Sequence, residues 1–189
     1  MNLPTRITLL RILAVPVIMV LFYLRFPCHY VAAAALFAVA ALTDMVDGRL
    51  ARKRNEVTSL GKLLDPIADK LLACSLLIME AANGNAMMFW NPPVGVILTS
   101  FIVGREILIG AFRTIAAHKG IILAADKFGK IKTVFLNVSI PVMMLAELHI
   151  SIKIIGNVLF VIAFLLTVIS GVNYLVKNRA VLAEEKKDA

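Results

Sequence analysis

Charge is scarce in this chain. Asp, Glu, Lys and Arg make up only 17% of its 189 residues, against 60% that are hydrophobic, and mean hydropathy is +0.88. A soluble domain carries about a quarter charged residues, so the deficit argues against a soluble fold and for an integral membrane protein. Cysteine is nearly missing too. Cys28 and Cys74 stand alone, without metal-ligand spacing, and imply no disulfide framework. The N-terminus lacks a short apolar segment ending in a small-residue cleavage site, so the first run is expected to be retained. Internal repeats and low-complexity tracts are absent as well.

What is present is a series of apolar runs. At about 20 residues per span the chain has room for six transmembrane helices with short loops and little else, an all-α bundle forming a single membrane domain over 1–189. The opening turns, with Arg6 and Arg11, read as an amphipathic juxtamembrane segment whose arginines snorkel to headgroups. It leads into a first span from about Ile12 to Phe26, and the second runs from Tyr30 to about Ala51. The net charge of +8 is not a nucleic-acid signal, because the basic residues sit at the ends of apolar runs, as in Arg49, Arg52, Lys53, Arg54, Lys177 and Arg179. That distribution suits loops beside anionic membrane lipid, and the positive-inside rule places both termini and the loop after the second run in the cytoplasm.

Four of the twelve acidic residues, Asp44, Asp47, Asp65 and Asp69, fall within the stretch Thr43–Lys70 between two apolar runs. Asp44 and Asp47 are three apart and share a helix face. Gly61, Asp65 and Asp69 are each four apart and stack along another. Four like charges at such spacing repel, and hard divalent cations such as Mg²⁺, Mn²⁺ or Ca²⁺ relieve the repulsion through oxygen ligands. A blander explanation is that Asp44 and Asp47 are hydrated loop charges and Asp65 caps a helix before Pro66, so that the third span kinks or starts near Asp65. Asp69 weighs against it: it lies a turn further in, with only Lys70 between it and LLACSLLIM, and ionisable residues within a span are expensive and usually functional.

The segment Asp44-x-x-Asp47-Gly48-x-x-Ala51-Arg52, eight residues, Gly61-x-x-x-Asp65-x-x-x-Asp69 resembles the signature of the CDP-alcohol phosphotransferase family, matching every signature position. The resemblance implies a six-helix membrane enzyme, commonly a homodimer. A CDP-linked substrate, usually CDP-diacylglycerol, is bound through its diphosphate by two divalent cations, Mg²⁺ or Mn²⁺. An alcohol then attacks the phosphorus bearing the lipid and CMP leaves. Carried over by position, Asp44, Asp47 and Asp65 are metal ligands, and Asp69 is both a ligand and the general base. Gly48, Ala51 and Arg52 meet the CDP portion, and Gly61 keeps its helix close to it.

The acceptor alcohol has to be read elsewhere. Arg105 and Arg113 are eight apart on one apolar run, with Glu106 between them, and Lys127, Lys130 and Lys132 open the next. One reading makes Arg105, Arg113, Lys130 and Lys132 a pocket for a phosphate on the acceptor. The other makes Arg113 and the lysines positive-inside loop charges and pairs Arg105 with Glu106. The stretches Arg105-Glu106…Arg113 and Gly129-Lys130-x-Lys132-Thr133, with the opening NLPTRITLLRI, resemble the bacterial phosphatidylglycerophosphate synthase branch, which implies sn-glycerol 3-phosphate as acceptor and a bacterial cytoplasmic membrane as the site. Thr5, Asp126 and Leu136 depart from that branch's usual residues. Within the family, inositol phosphate, serine and phosphatidylglycerol remain alternative acceptors. Outside it, a membrane prenyltransferase and a divalent-cation transporter are the rivals.

Overall fold

Each apolar run folds as a helix, as a chain in lipid must when its backbone groups have only one another to bond. The computed structural model describes residues 3–24, 26–54, 59–86, 92–119, 121 and 127–178; the side chains of 3–5, 44–54, 59–63, 65, 92, 118 and 127 lie outside that description. In order come α1 (Leu3–Tyr23), α2 (His29–Arg54), α3 (Ser59–Ala82), α4 (Pro92–His118), α5 (Lys127–Met144), a 3-10 turn at Leu145–Glu147, and α6 (Ile150–Lys177). No strand occurs among the described residues.

α3 starts at Ser59 and runs through Pro66, which rules out the alternative start near Asp65. The ring removes one backbone bond, and a helix packed against neighbours tolerates that loss. Arg11, expected to reach headgroups, is buried at 3% exposure, as is Thr8 at 1%, while Leu10 and Leu13 face outward. Thr8 and Arg11 point into the bundle because α1 packs against both α2 and α3, while Arg6 stays exposed. The helix is also shifted: its apolar stretch covers Arg6–Tyr23, not Ile12 to Phe26.

Among the described residues, four helices are long and apolar enough to cross a membrane, over Arg6–Tyr23, Pro93–Ala117, Phe128–Glu147 and Ile150–Lys177. The apolar part of α2, His29–Thr43, is shorter, and α3 carries charges along its length. The helices that fall short are therefore the two bearing the aspartates. The chain is an integral membrane protein, and its outward apolar side chains agree, with Ile97, Ile107, Val134 and Val172 all more than half exposed. Such a surface suits lipid and no soluble monomer.

The core joins Ile18 of α1, Phe37 of α2, Leu76 and Leu77 of α3, Ile140 and Met143 of α5 and Phe160 of α6. Association in lipid rests on close packing and internal polar contacts more than on the hydrophobic effect, and both are visible. A Cβ placed on Gly156 of α6 would lie 2.9 Å from Met143 Cγ and 3.2 Å from its backbone nitrogen, so glycine is what lets α6 lie against α5. At the same end, the fully buried Glu80 accepts from Asn85 Nδ2 at 2.8 Å, and Asn157 Nδ2 donates to the Asn85 carbonyl at 3.0 Å. These bonds tie the end of α3 to the start of α6. His149 caps α6 by accepting from the Ser151 N–H at 3.2 Å.

Candidate active site

Asp69 and all four basic residues of the expected acceptor pocket line one cavity of about 730 Å³. Its walls come from α2 (Ala38, Ala41, Leu42), α3 (Pro66, Asp69, Lys70), α4 (Arg105, Glu106, Gly110, Arg113), α5 (Lys130, Lys132, Thr133, Asn137) and Tyr174 of α6. Five cationic side chains and two carboxylates face it among the described residues, so it favours an anionic ligand.

Glu106 organises the basic wall. Its Oε1 accepts from Arg105 Nη1 at 3.0 Å and also from the Lys132 ammonium. Lys132 is 4% exposed, on a helix facing the bundle. The reading of Lys132 as a loop charge therefore fails, since the α5 register turns it inward while Lys130 is exposed. The pairing of Arg105 with Glu106 holds, but it does not remove Arg105 from the cavity. A buried carboxylate shared by two cations fixes their positions and leaves N–H groups over for a ligand.

The two arginines are braced from α6. Arg105 Nη2 donates to Ser170 Oγ at 2.9 Å, and Arg113 Nε donates to the Tyr174 hydroxyl at 3.2 Å. Ser170 and Tyr174 are four apart, one helical turn, so a single face of α6 serves both arginines. Gly171 opens that face: a Cβ there would sit 3.3 Å from Arg105 Nε. Sequence reasoning missed Ser170, Tyr174 and Lys70. A serine and a tyrosine on an apolar helix carry no signal of their own, whereas Lys70, a charge one residue after Asp69 and just before LLACSLLIM, was visible.

Asp44, Asp47, Gly48, Ala51 and Arg52 lie on the continuous helical backbone of α2, and Gly61 and Asp65 on that of α3, but the side chains of all seven lie outside the description. Chain continuity gives their position. Ala41 and Leu42, two of the cavity's walls, lead directly into Thr43-Asp44, and Pro66, another, follows Asp65. Helical register separates 44 from 47 by three residues and 61, 65 and 69 by four, as expected from spacing. Among the described side chains no three of His, Cys, Asp or Glu converge, and Asp69 is the only one of the four aspartates whose side chain is described. Leu136 is buried in the core, away from the cavity wall, and Asp126 and the Thr5 side chain lie outside the description.

Comparison with known proteins covers nearly the full chain. The family model for CDP-alcohol phosphatidyltransferase matches residues 1–169. The CDP-diacylglycerol–glycerol-3-phosphate 3-phosphatidyltransferase of Rickettsia bellii is 35% identical over 176 residues, covering 92% of this chain and 93% of its own. Those of Bacillus subtilis, 35% identical over 94% of this chain and 95% of the relative, and Shigella flexneri serotype 5b, 34% over 97% and 98%, extend the likeness. A signature complete in every position, a helical membrane fold and a family match across both make this chain a member of the CDP-alcohol phosphatidyltransferase family.

Proposed function

We propose that this chain transfers the phosphatidyl group of CDP-diacylglycerol to sn-glycerol 3-phosphate, giving phosphatidylglycerol phosphate and CMP. Relatives carrying that activity in their names match it over more than nine-tenths of its length. The observation that carries the reading is the single cavity into which Asp69 and the cluster Arg105, Arg113, Lys130 and Lys132 all face. A base for a hydroxyl and a cationic wall for a phosphate, on one small cavity, suit an acceptor bearing both groups.

The donor set supports two divalent cations. Four carboxylates along Asp44, Asp47, Asp65 and Asp69 are hard oxygen ligands of the kind Mg²⁺ and Mn²⁺ take. Bound there, such ions neutralise charge on the diphosphate and on the departing CMP. The residues do the remainder. Gly48, Ala51 and Arg52 receive the CDP portion, and Gly61 keeps α3 close to it. Asp69 accepts the proton of the acceptor hydroxyl as its oxygen bonds to the phosphorus that bears the lipid. The bond from that phosphorus to the bridging oxygen of the diphosphate breaks, and the electron pair leaves with CMP. Arg105, Arg113, Lys130 and Lys132 hold the acceptor phosphate, so the hydroxyl arrives oriented.

The same reading has all six helices spanning the membrane as one domain, with α3 admitted despite its charges because Asp69 and Lys70 line the cavity and Glu80 bonds to Asn85, and with the opening turns of α1 at the interface. Both termini and the cavity mouth lie on the cytoplasmic side of a bacterial cytoplasmic membrane, where the water-soluble acceptor enters and the acyl chains remain in lipid. The enzyme works as a homodimer. The test is CMP release by purified protein in detergent with CDP-diacylglycerol and Mg²⁺ or Mn²⁺, with glycerol 3-phosphate, inositol phosphate, serine and phosphatidylglycerol supplied singly. Release that needs glycerol 3-phosphate and stops with chelator is expected. Release with a different acceptor alone overturns the acceptor assignment, and none with any overturns the reaction.

A further inference from the structure

Lys70 has no role in the family signature, yet its side chain is placed with unusual care. It lies on α3 beside Asp69, lines the same cavity, and donates from Nζ to the backbone carbonyl of Glu106 on α4 at 2.9 Å. A carbonyl within a helix is usually screened by the side chain one turn on, here position 110. That residue is glycine, and a Cβ built on it would fall on the Lys70 ammonium. The missing side chain of Gly110 is therefore the notch in which the ammonium sits.

The setting points to an anion. Glu106 meets Lys70 through its backbone and Arg105 and Lys132 through its carboxylate. With the five cations and two carboxylates of the cavity counted together, positive charge is in surplus by three, which suits the dianion of a phosphomonoester. An ammonium has three N–H groups. One is used on the Glu106 carbonyl, and the others remain for a ligand in the cavity. The adjoining residue is the aspartate that would meet the hydroxyl, so one short segment of α3 touches both ends of a small phosphorylated alcohol.

We propose that Lys70, seated in the notch of Gly110, is a specificity-determining residue that binds the phosphate of the acceptor and sets its distance from Asp69. This rests on the reading of the cavity as the acceptor site. A phosphate can also come from the CDP-lipid, and the assignment is to the acceptor: Lys70 is bonded to Glu106, the residue that holds Arg105 and Lys132 on the same wall.

Initial rates of CMP release test it, with the purified full-length protein in detergent, each substrate varied while the other saturates. Lys70→Met is expected to raise the KM for glycerol 3-phosphate roughly ten- to a hundredfold, as loss of a charge-assisted hydrogen bond does, and to leave the KM for CDP-diacylglycerol within about twofold. Lys70→Arg, which keeps the charge, is expected to recover part of the loss. Gly110→Ala is the gentler probe. Its methyl group meets only the mobile end of a lysine, so the fold is kept while the ammonium is displaced. It should shift the same KM in the same direction and add little in the Lys70→Met background, because both changes remove one contact. An unchanged acceptor KM in Lys70→Met, an equal rise for both substrates, or additive effects of the two substitutions overturns the assignment. Wild-type protein that releases no CMP with glycerol 3-phosphate overturns the underlying reading, and that result precedes any variant.

Discussion

Arg113 of α4 and Tyr174 of α6 hold each other twice: the guanidinium carbon lies 5.5 Å from the centre of the tyrosine ring, and Arg113 Nε donates to the phenol oxygen at 3.2 Å. Phe112 packs edge-on to the same ring at 6.0 Å. An arginine fixed by a ring face and a hydroxyl has little freedom left to lose when it binds a phosphate, which lowers the entropy cost of binding.

Tyr174→Phe keeps the ring and removes the hydroxyl. The acceptor KM should rise roughly five- to tenfold, the worth of about 1 kcal/mol or a little more in one hydrogen bond to a charged group. Tyr174→Ala also removes the cation–π contact and should cost more. Steady-state kinetics with glycerol 3-phosphate varied would decide it. A larger effect on the CDP-diacylglycerol KM would mean that Arg113 serves the other substrate.

Glu106→Gln keeps the shape of the side chain and deletes the charge shared by Arg105 and Lys132. Breaking a mostly buried pair from one side costs about 3–5 kcal/mol in well-buried examples, and Glu106 is 15% exposed with Lys132 at 5%. The ligand-free protein should melt earlier in detergent, and added glycerol 3-phosphate should restore more of the loss in the variant than in wild type, since the anion replaces the missing charge. Equal melting curves for variant and wild type would show that the pair does not organise the wall.

Asp69→Asn preserves volume and removes the base. Turnover should fall by roughly 10²- to 10⁴-fold, while CDP-diacylglycerol still binds, if more weakly, through the other aspartates. Single-turnover CMP release beside a binding titration separates these effects. Near-normal turnover would end the base assignment.

Gly156→Ala tests the fold independently of the chemistry. The added methyl would press on Met143 at both side chain and backbone, and overpacking of this kind costs about 1–3 kcal/mol. A lower melting temperature with unchanged KM values for both substrates is expected. A change in either KM with unaltered melting would mean that the α5–α6 contact reaches the cavity.

Much of this was legible one residue at a time. The scarcity of charge and the length of the apolar runs were enough for an all-helical membrane chain, because in lipid the backbone has few other choices. The spacing of Asp44, Asp47, Gly61, Asp65 and Asp69 was enough for shared helix faces, because helical register turns spacing into faces, and the resemblance of the whole segment to a known signature was enough for the family. Arg105, Arg113, Lys130 and Lys132 stood out as charges where charge is expensive. Arg11 was misjudged, and the effect of Pro66 was left open, for a common reason. Whether an arginine snorkels, or a proline ends a helix, depends on which neighbours surround it, and local sequence does not contain them.

The tertiary structure alone decided which groups meet. Lys70 and Gly110 are 40 positions apart, Arg105 and Ser170 65, and Arg113 and Tyr174 61. Composition and periodicity describe each helix about its own axis and say nothing of its rotation against another. Packing fixes that rotation, through Gly156 on Met143 and the shared core of α1, α2, α3 and α5. The sequence determined that this chain crosses a membrane and which charges stand out within its apolar runs; the packing of the helices determined that Asp69 and the basic wall share one cavity, because packing is what brings side chains distant in sequence within hydrogen-bond reach of each other.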